Sequence, residues 1–127
     1  MAVSLQELKK AIDTLEQAIA LYSHATPGTP EQKAFRDACI QRFEYGVELS
    51  WKVAMKAFGS MTAAAIPAIR EMARDNLIDD PQIWFDFVEA RNNSSHSYDE
   101  NVAQKVFAVA IRLPSEARKL TAKLELK

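Results

Sequence analysis

The feature that most constrains the fold is an unbroken stretch from Glu31 to Phe58, which contains no proline and a single glycine, Gly46. Thr29-Pro30 opens this stretch and Gly59 closes it, as expected for the start and end of a helix. At about 1.5 Å of rise per residue, the stretch predicts one helix of about 40 Å. A helix of this length spans a whole small domain, so the rest of the chain must pack around it.

The predicted long helix carries two apolar faces. One holds Phe35, Cys39, Phe43, Gly46 and Ala54, and the other holds Ile40, Val47, Trp51 and Phe58. A helix with two apolar faces needs two packing partners, and a second protomer is one candidate for the second face. Gly46 costs about 1 kcal/mol relative to alanine in a helix interior, so we expect another helix to cross close to it.

Shorter helices are predicted on both sides of the long one. Their expected spans are Ser4 to about His24, about Ala64 to Asn76 with Pro67 in or near the first turn, Asp80 to about Arg91, and Asp99 onward with a kink or restart at Pro114-Ser115. No strand pattern is visible. The chain is therefore predicted to be all-α, an antiparallel up-and-down bundle of four to five helices in a single domain over residues 1–127.

Composition is typical of a soluble protein. Apolar residues make up 48% and charged residues 26%, and no apolar run approaches the roughly 20 residues that cross a bilayer. Residues Met1 to Lys10 lack a basic segment followed by an apolar core, so no secretory signal is expected. The single Cys39 cannot form an intrachain disulfide, and the net charge is −1. We expect a cytoplasmic protein that does not bind membranes and does not attract nucleic acid by overall charge.

Several catalytic and metal templates are excluded. There is no glycine-rich phosphate loop and no His-Glu-x-x-His motif, and two histidines with one cysteine cannot build a structural zinc site. No metal site and no cofactor are therefore expected.

One polar segment at a predicted helix end concentrates reactive side chains. It runs from Arg91 to Tyr98 and reads R-x4-H-x-Y. Arg91 offers a guanidinium fork for a phosphate, and His96 can give or take a proton near neutral pH. Asn92, Ser94 and Ser95 add neutral hydrogen-bonding groups, and Tyr98 adds a phenol. A two-fold dimer would bring a second Arg91–His96 pair alongside the first.

The same residues also have a structural interpretation. An arginine at a helix C-terminus commonly interacts with the helix dipole and the free carbonyls, and a histidine in the next turn is often a cap. Glu44 and Glu48 lie one turn apart on the long helix. They are expected either to form a solvated or paired face, with Glu48 near Lys52, or to face the groove of a dimer. Spacing alone leaves these interpretations open.

Five parts of the chain carry a family resemblance. They are Phe43-Glu44-Tyr45, Glu48-Leu49-Ser50-Trp51-Lys52, Ile69-Arg70-Glu71, Leu77-Ile78-Asp79-Asp80, and Ala90-Arg91-Asn92 with Ser95-His96-Ser97-Tyr98. Together they resemble the nucleotidyltransferase substrate-binding protein family, and R-x4-H-x-Y resembles the signature of the HEPN superfamily. The resemblance implies a helical bundle, typically a homodimer, that works with a separate minimal nucleotidyltransferase. In related ribonuclease toxins, the residues matching Arg91 and His96 are catalytic, and the residue matching Tyr98 is modified by the antitoxin in some pairs.

The resemblance implies two functions. In the first, the chain is the substrate-binding partner subunit of the nucleotidyltransferase and binds a nucleotide or RNA in a dimer groove around the motif, with Asn92, Ser95 and Tyr98 as contacts. The chain lacks the sheet and the Gly-Ser motif with paired aspartates that hold magnesium for nucleotidyl transfer, so that chemistry is expected from the partner. In the alternative, the chain is a metal-independent endoribonuclease toxin of a toxin–antitoxin pair. Whether the chain is an enzyme stays open, and a purely structural dimerisation bundle is a third possibility.

Overall fold

Helix boundaries follow the capping signals of the sequence. The computed structural model describes residues 4–126 and contains, in that range, six α-helices and one short 3₁₀ turn. The helices are α1 (Leu5–His24), α2 (Pro30–Ala57), α3 (Ala65–Arg74), α4 (Pro81–Asn93), α5 (Glu100–Ala110) and α6 (Leu113–Glu125), and the 3₁₀ turn is Ser94–His96. No strand occurs among these residues, as the sequence predicts.

Side-chain caps fix the first two helix starts. The Ser4 hydroxyl accepts the amide of Glu7 at 3.1 Å, and the Thr29 hydroxyl accepts the amide of Gln32 at 3.2 Å. Each bond satisfies an amide that a helix start leaves without an intrahelical partner. The long helix therefore begins where the sequence places it.

Contacts between distant residues set the helix directions. The Lys9 amine lies 3.0 Å from the Glu125 carboxylate, and the Arg118 guanidinium lies 2.5 Å from that of Asp13, so α6 runs antiparallel to α1. The contacts that join α2 to the other helices give their directions in the same way. They show that α4 runs antiparallel to α2, whereas α5 and α6 both run parallel to α2. The result is an up-and-down bundle with four arms: α1, α2, α4 and the α5–α6 pair. The short helix α3 packs on both α2 and α4.

The fourth arm is broken where the sequence allows a kink or a restart. It restarts between α5 and α6, with Pro114 in the first turn of α6, where the missing amide has no intrahelical acceptor. Two boundaries differ from the predicted ones. α4 continues past Arg91 to Asn93, and α3 ends at Arg74 because Asn76 adopts a left-handed backbone with φ of 60°.

The long helix α2 is the centre of the bundle, since it contacts each of the other five α-helices. All residues of its two predicted apolar stripes are buried except Phe35, which is half-buried, and Phe58, which is exposed. Both apolar faces are therefore covered within one chain. The two-faced helix needs no second protomer to explain it.

An aromatic cluster holds α4 on α2. Trp84 and Phe87 pack edge to face with ring centroids 5.1 Å apart, and Phe87 packs edge to face on Phe43 at 6.1 Å. All three side chains are buried. Edge-to-face pairs of this kind stabilise beyond their buried area. The cluster therefore positions α4, whose last turn carries Arg91.

Gly46 lies where α6 begins on the surface of α2. A Cβ atom on Gly46 would lie 2.9 Å from the Cδ2 atom of Leu113, the first residue of α6. The close crossing predicted from the sequence is therefore present, with Leu113 packed on the backbone of α2.

Cys39 lies on α2 with its side chain fully buried. Burial raises the pKa of its thiol to about 11. A thiol with that pKa is protonated near neutral pH, and the thiolate is the reactive form. Cys39 is therefore a packing residue.

No helix among the described residues has the length and apolar content needed to cross a bilayer.

Candidate functional site

The R-x4-H-x-Y motif lies where α4 turns back into α5. In this turn the Ser97 amide donates to the Ser94 carbonyl at 3.1 Å, and the Asp99 amide donates to the His96 carbonyl at 3.0 Å. The Asp99 carboxylate then accepts two amides in the first turn of α5. The polar segment Ser94–Tyr98, here called the motif turn, is thus an ordered reversal closed by its own hydrogen bonds.

Arg91 points from the last turn of α4 toward α2. Its Nη1 atom lies 3.4 Å from Oε1 of Glu48, and the two side chains are 31% and 28% exposed. The pair is poorly completed. Nε of Arg91 and Oε2 of Glu48 are both shielded from solvent and have no hydrogen-bond partner among residues 4–126. A guanidinium and a carboxylate bind best through two parallel hydrogen bonds, and this pair makes one long contact.

Ser94 anchors the motif turn to α2. Its side chain is buried, and its hydroxyl lies in hydrogen-bonding contact with the Glu44 carboxylate and 2.6 Å from the Arg91 carbonyl oxygen. Glu44 and Glu48, which the sequence leaves open between a paired face and the groove of a dimer, therefore contact the motif from α2. Ser94 was predicted only as one of the added hydrogen-bonding groups, although its spacing from Phe87 places it on the buried side of α4.

The other predicted site residues are exposed. Tyr98 is 86% exposed, and its ring packs edge to face against His96 with centroids 6.1 Å apart. Asn92 and Ser95 also face solvent, and the Ser95 hydroxyl donates to the Asn92 carbonyl at 3.3 Å. These side chains are free to contact a ligand or a partner.

A groove with an apolar floor runs between α4 and α5 beside the motif turn, here called the α4–α5 groove. Its volume is about 520 Å³, within the range of roughly 300–1,000 Å³ typical of ligand pockets. Its lining residues are Asp86, Glu89, Ala90, Asn93, His96, Val102, Lys105, Val106 and Val109. Of the predicted site residues, His96 lines this groove, whereas Arg91 lies outside it. Within one chain the motif's two main residues therefore serve different surfaces.

The charges of the α4–α5 groove are mixed. Asp86 and Glu89 contribute carboxylates from α4, and Lys105 contributes an amine from α5. The Asp86 carboxylate accepts a hydrogen bond from the side-chain amide of Gln82 at 3.0 Å. None of these three groove residues was predicted from the sequence as part of the site. The spacings of three and four on α4, from Asp86 to Glu89 and from Glu89 to Asn93, were the signal, since residues at those spacings share one helix face.

A second set of charges holds the start of α5. Arg36, buried on α2, donates to the Glu100 carboxylate at 2.5 Å, and the Lys33 amine lies 3.3 Å from the same carboxylate. The hydrogen bond from Arg36 lowers the pKa of Glu100 to about 2. The motif turn is therefore fastened to α2 at both ends, by Ser94 at its start and by Glu100 just after it.

Stability is expected to fall between pH 4.5 and pH 2 as Glu100 loses its charge. Because the folded-state pKa of Glu100 is depressed below its ordinary value, its contribution is present above pH 4.5 and is lost as the pH falls toward the folded pKa. Glu100→Gln should therefore reduce the change in unfolding free energy over this window, measured by urea unfolding at a series of pH values. Glu89→Gln is the charge-matched control, and an equal reduction in that variant would contradict the assignment.

Comparisons with known proteins identify relatives of the whole chain. A family model described as "Nucleotidyltransferase substrate binding protein like" matches residues 3–126. Among solved structures, the Haemophilus influenzae protein HI0074, described as the substrate binding domain of a nucleotidyltransferase, matches 95% of this chain and 98% of its own, with 28% identity and a TM-score of 0.81. A protein from Thermus thermophilus matches 92% of this chain and 98% of its own, with 26% identity and a TM-score of 0.78. No curated protein sequence gives a significant match. These matches confirm the family resemblance and the helical-bundle fold.

Proposed function

The chain belongs to the family of nucleotidyltransferase substrate binding protein-like proteins, and from that membership we propose that it is the substrate-binding subunit of a separate nucleotidyltransferase. In this arrangement the partner carries out the nucleotidyl transfer. The chain presents the substrate to it, in line with the description of the Haemophilus influenzae relative as a substrate binding domain. The proposal further takes the working form of the chain to be a homodimer.

The observation that carries the proposal is the α4–α5 groove with His96 in its wall. The valine side chains of α5 provide an apolar floor on which a nucleobase or sugar ring can rest. Asn93 and His96 offer hydrogen bonds for orienting the ring, and Lys105 offers a positive charge for a phosphate. Tyr98 and Asn92, exposed nearby, are placed to contact parts of a longer substrate, such as RNA, that extend beyond the groove.

The ribonuclease alternative has less support from a single chain. Cleavage by the motif needs Arg91 to stabilise the phosphate while His96 handles the proton. Arg91 is instead held toward Glu48, outside the groove that His96 lines. The substrate-binding function therefore fits the geometry better.

Nucleotide binding in the α4–α5 groove is expected to depend on His96. The four ribonucleoside triphosphates and a short single-stranded RNA would each be titrated into the full chain, with the methyl resonances of Val102, Val106 and Val109 as the readout. We expect at least one of these ligands to shift the valine signals, and His96→Ala to weaken its binding by about tenfold or more. His24→Ala is the matched control, because His24 lies outside the groove at the end of α1, with its Nδ1 atom 2.7 Å from the Ala20 carbonyl oxygen. If none of these ligands shifts the valines, the groove is not the nucleotide or RNA site.

Two further measurements separate the functions. Co-expression with a minimal nucleotidyltransferase from the same genome should yield a complex that elutes as one species. RNA incubated with the purified chain in EDTA should stay intact with wild type, Arg91→Ala and His96→Ala alike. Cleavage by the wild type that is lost in both variants would replace the substrate-binding proposal with the ribonuclease function.

A further inference from the structure

The two walls of the α4–α5 groove carry unpaired groups of opposite charge. Glu89 lines the groove from α4 and Lys105 lines it from α5. Within residues 4–126 neither side chain makes a hydrogen bond or an ion pair, whereas the Asp86 carboxylate is bonded to the side-chain amide of Gln82. A ligand that lies across the valine floor therefore meets a free carboxylate at one wall and a free amine at the other.

A second polar group stands beside the Glu89 carboxylate. Asn93 follows four residues later, in the last turn of α4, and lines the same groove. Residues at this spacing share one helix face, with Cβ atoms about 5–6 Å apart. A carboxylate only accepts hydrogen bonds, whereas an amide side chain can also donate them. The α4 wall thus offers two acceptor oxygens from Glu89 and, next to them, an N–H donor from Asn93.

The four nucleobases differ in how well they match this wall. The Watson–Crick edge of guanine presents the N2 amino group and the N1–H group side by side, followed by the O6 acceptor. Two adjacent N–H groups suit the two oxygens of one carboxylate, and O6 suits an amide donor. Adenine and cytosine place a ring-nitrogen acceptor beside their amino group, and uracil places its N–H between two carbonyls. Each of these three bases therefore brings an acceptor against the carboxylate.

We propose that the α4–α5 groove selects guanine nucleotides. In this arrangement Glu89 accepts hydrogen bonds from N1–H and the N2 amino group, Asn93 donates to O6, and Lys105 pairs with the phosphate at the opposite wall. The partly buried valine floor supports the flat face of the purine. The proposal rests on the proposed function, because it requires a nucleotide in this groove, and it adds which base the groove reads.

Titration of the full chain with 5′-mononucleotides tests the base preference, with the methyl resonances of Val102, Val106 and Val109 as the readout. GMP should bind about tenfold more tightly than AMP, CMP or UMP, because only guanine donates two hydrogen bonds to the carboxylate. Inosine monophosphate lacks only the N2 amino group, so it should bind about tenfold more weakly than GMP.

Glu89→Gln should exchange one base preference for another. Its amide carbonyl still accepts from N1–H, but its NH₂ group now faces the position of the N2 amino group. Xanthine carries a carbonyl oxygen there instead. The variant should therefore lose about tenfold in affinity for GMP and bind xanthosine monophosphate more tightly than GMP. A residue with a merely structural role would not reverse this order. Glu89 is exposed, so the variant should keep the circular dichroism spectrum of the wild type.

Two further variants separate the base from the phosphate. Glu31→Gln makes the same chemical change at an exposed position outside the groove, so it should keep the wild-type preference for GMP. Lys105→Gln should weaken GMP and AMP by the same factor, because it removes the phosphate contact and leaves the base contacts in place.

The source of the guanine is resolved with two RNA strands, an oligoadenylate with one central guanosine and the all-adenosine strand. Preferential binding of the guanosine strand over both GMP and the all-adenosine strand would identify RNA as the source, and preferential binding of GMP would identify the free nucleotide. Equal affinity for GMP and AMP, or a Glu89→Gln variant with the wild-type order, would overturn guanine selection while nucleotide binding in the groove stands. If no nucleotide shifts the valines, both proposals for the groove fail.

Discussion

Replacing Trp84 with alanine is expected to lower the free energy of unfolding by about 3–5 kcal/mol, the usual cost of truncating a large buried aromatic residue. Trp84 is 1% exposed and packs edge to face on Phe87. Its removal would leave a cavity that the neighbouring rings cannot fill without shifting. Because a domain of ordinary stability unfolds at a cost of about 5–15 kcal/mol, the loss is a large share of the total.

The measurement is urea unfolding followed by circular dichroism, with Met61→Ala as the control. Met61 is 95% exposed, so its truncation removes an apolar side chain from solvent rather than from the core. The control should unfold within about 0.5 kcal/mol of wild type. A Trp84→Ala variant as stable as the Met61→Ala variant would mean that the aromatic cluster does not hold α4 on α2.

The second large effect is expected at Ser94, where alanine should cost about 1–3 kcal/mol because the half-buried Glu44 carboxylate loses its hydroxyl donor. The adjacent residue supplies a matched control. Ser95 is exposed and its hydroxyl bonds only the local Asn92 carbonyl among the described contacts, so Ser95→Ala should change stability by less than about 0.5 kcal/mol.

The two serine variants should also differ in the order of the motif turn. Amide hydrogen exchange at Ser97 and Asp99, whose amides close the turn, should speed up in Ser94→Ala and stay unchanged in Ser95→Ala. Equal effects from the two serines would show that the bond to Glu44 does not fasten the turn.

The sequence was sufficient for the elements whose causes are local. Thr29-Pro30 starts α2 because a hydroxyl cap and a proline at the first position act within one turn, and the structure begins the helix there. The two apolar stripes of α2 correctly predicted that this helix packs against other helices on both sides. Gly46 correctly indicated a close crossing, because glycine is disfavoured mid-helix unless its missing side chain is used.

The site was less predictable because its geometry depends on pairings between distant parts of the chain. Ser94 meets Glu44 across 50 positions, and Arg36 meets Glu100 across 64. No local pattern encodes such a register. The motif lies at a helix end, as the sequence predicts, and Glu44 and Glu48 contact it from α2. What spacing could not give was the division of Arg91 and His96 between two surfaces.

The burial of Cys39 has a practical consequence. It is the only cysteine in the chain, and its thiol is protonated and enclosed by the helices around α2. A maleimide reagent can reach it only when those helices separate, so the labelling rate reports how often the core opens. The same shielding makes the native protein a nearly thiol-free background. A fluorophore attached to a cysteine engineered at an exposed position would therefore report on that position alone.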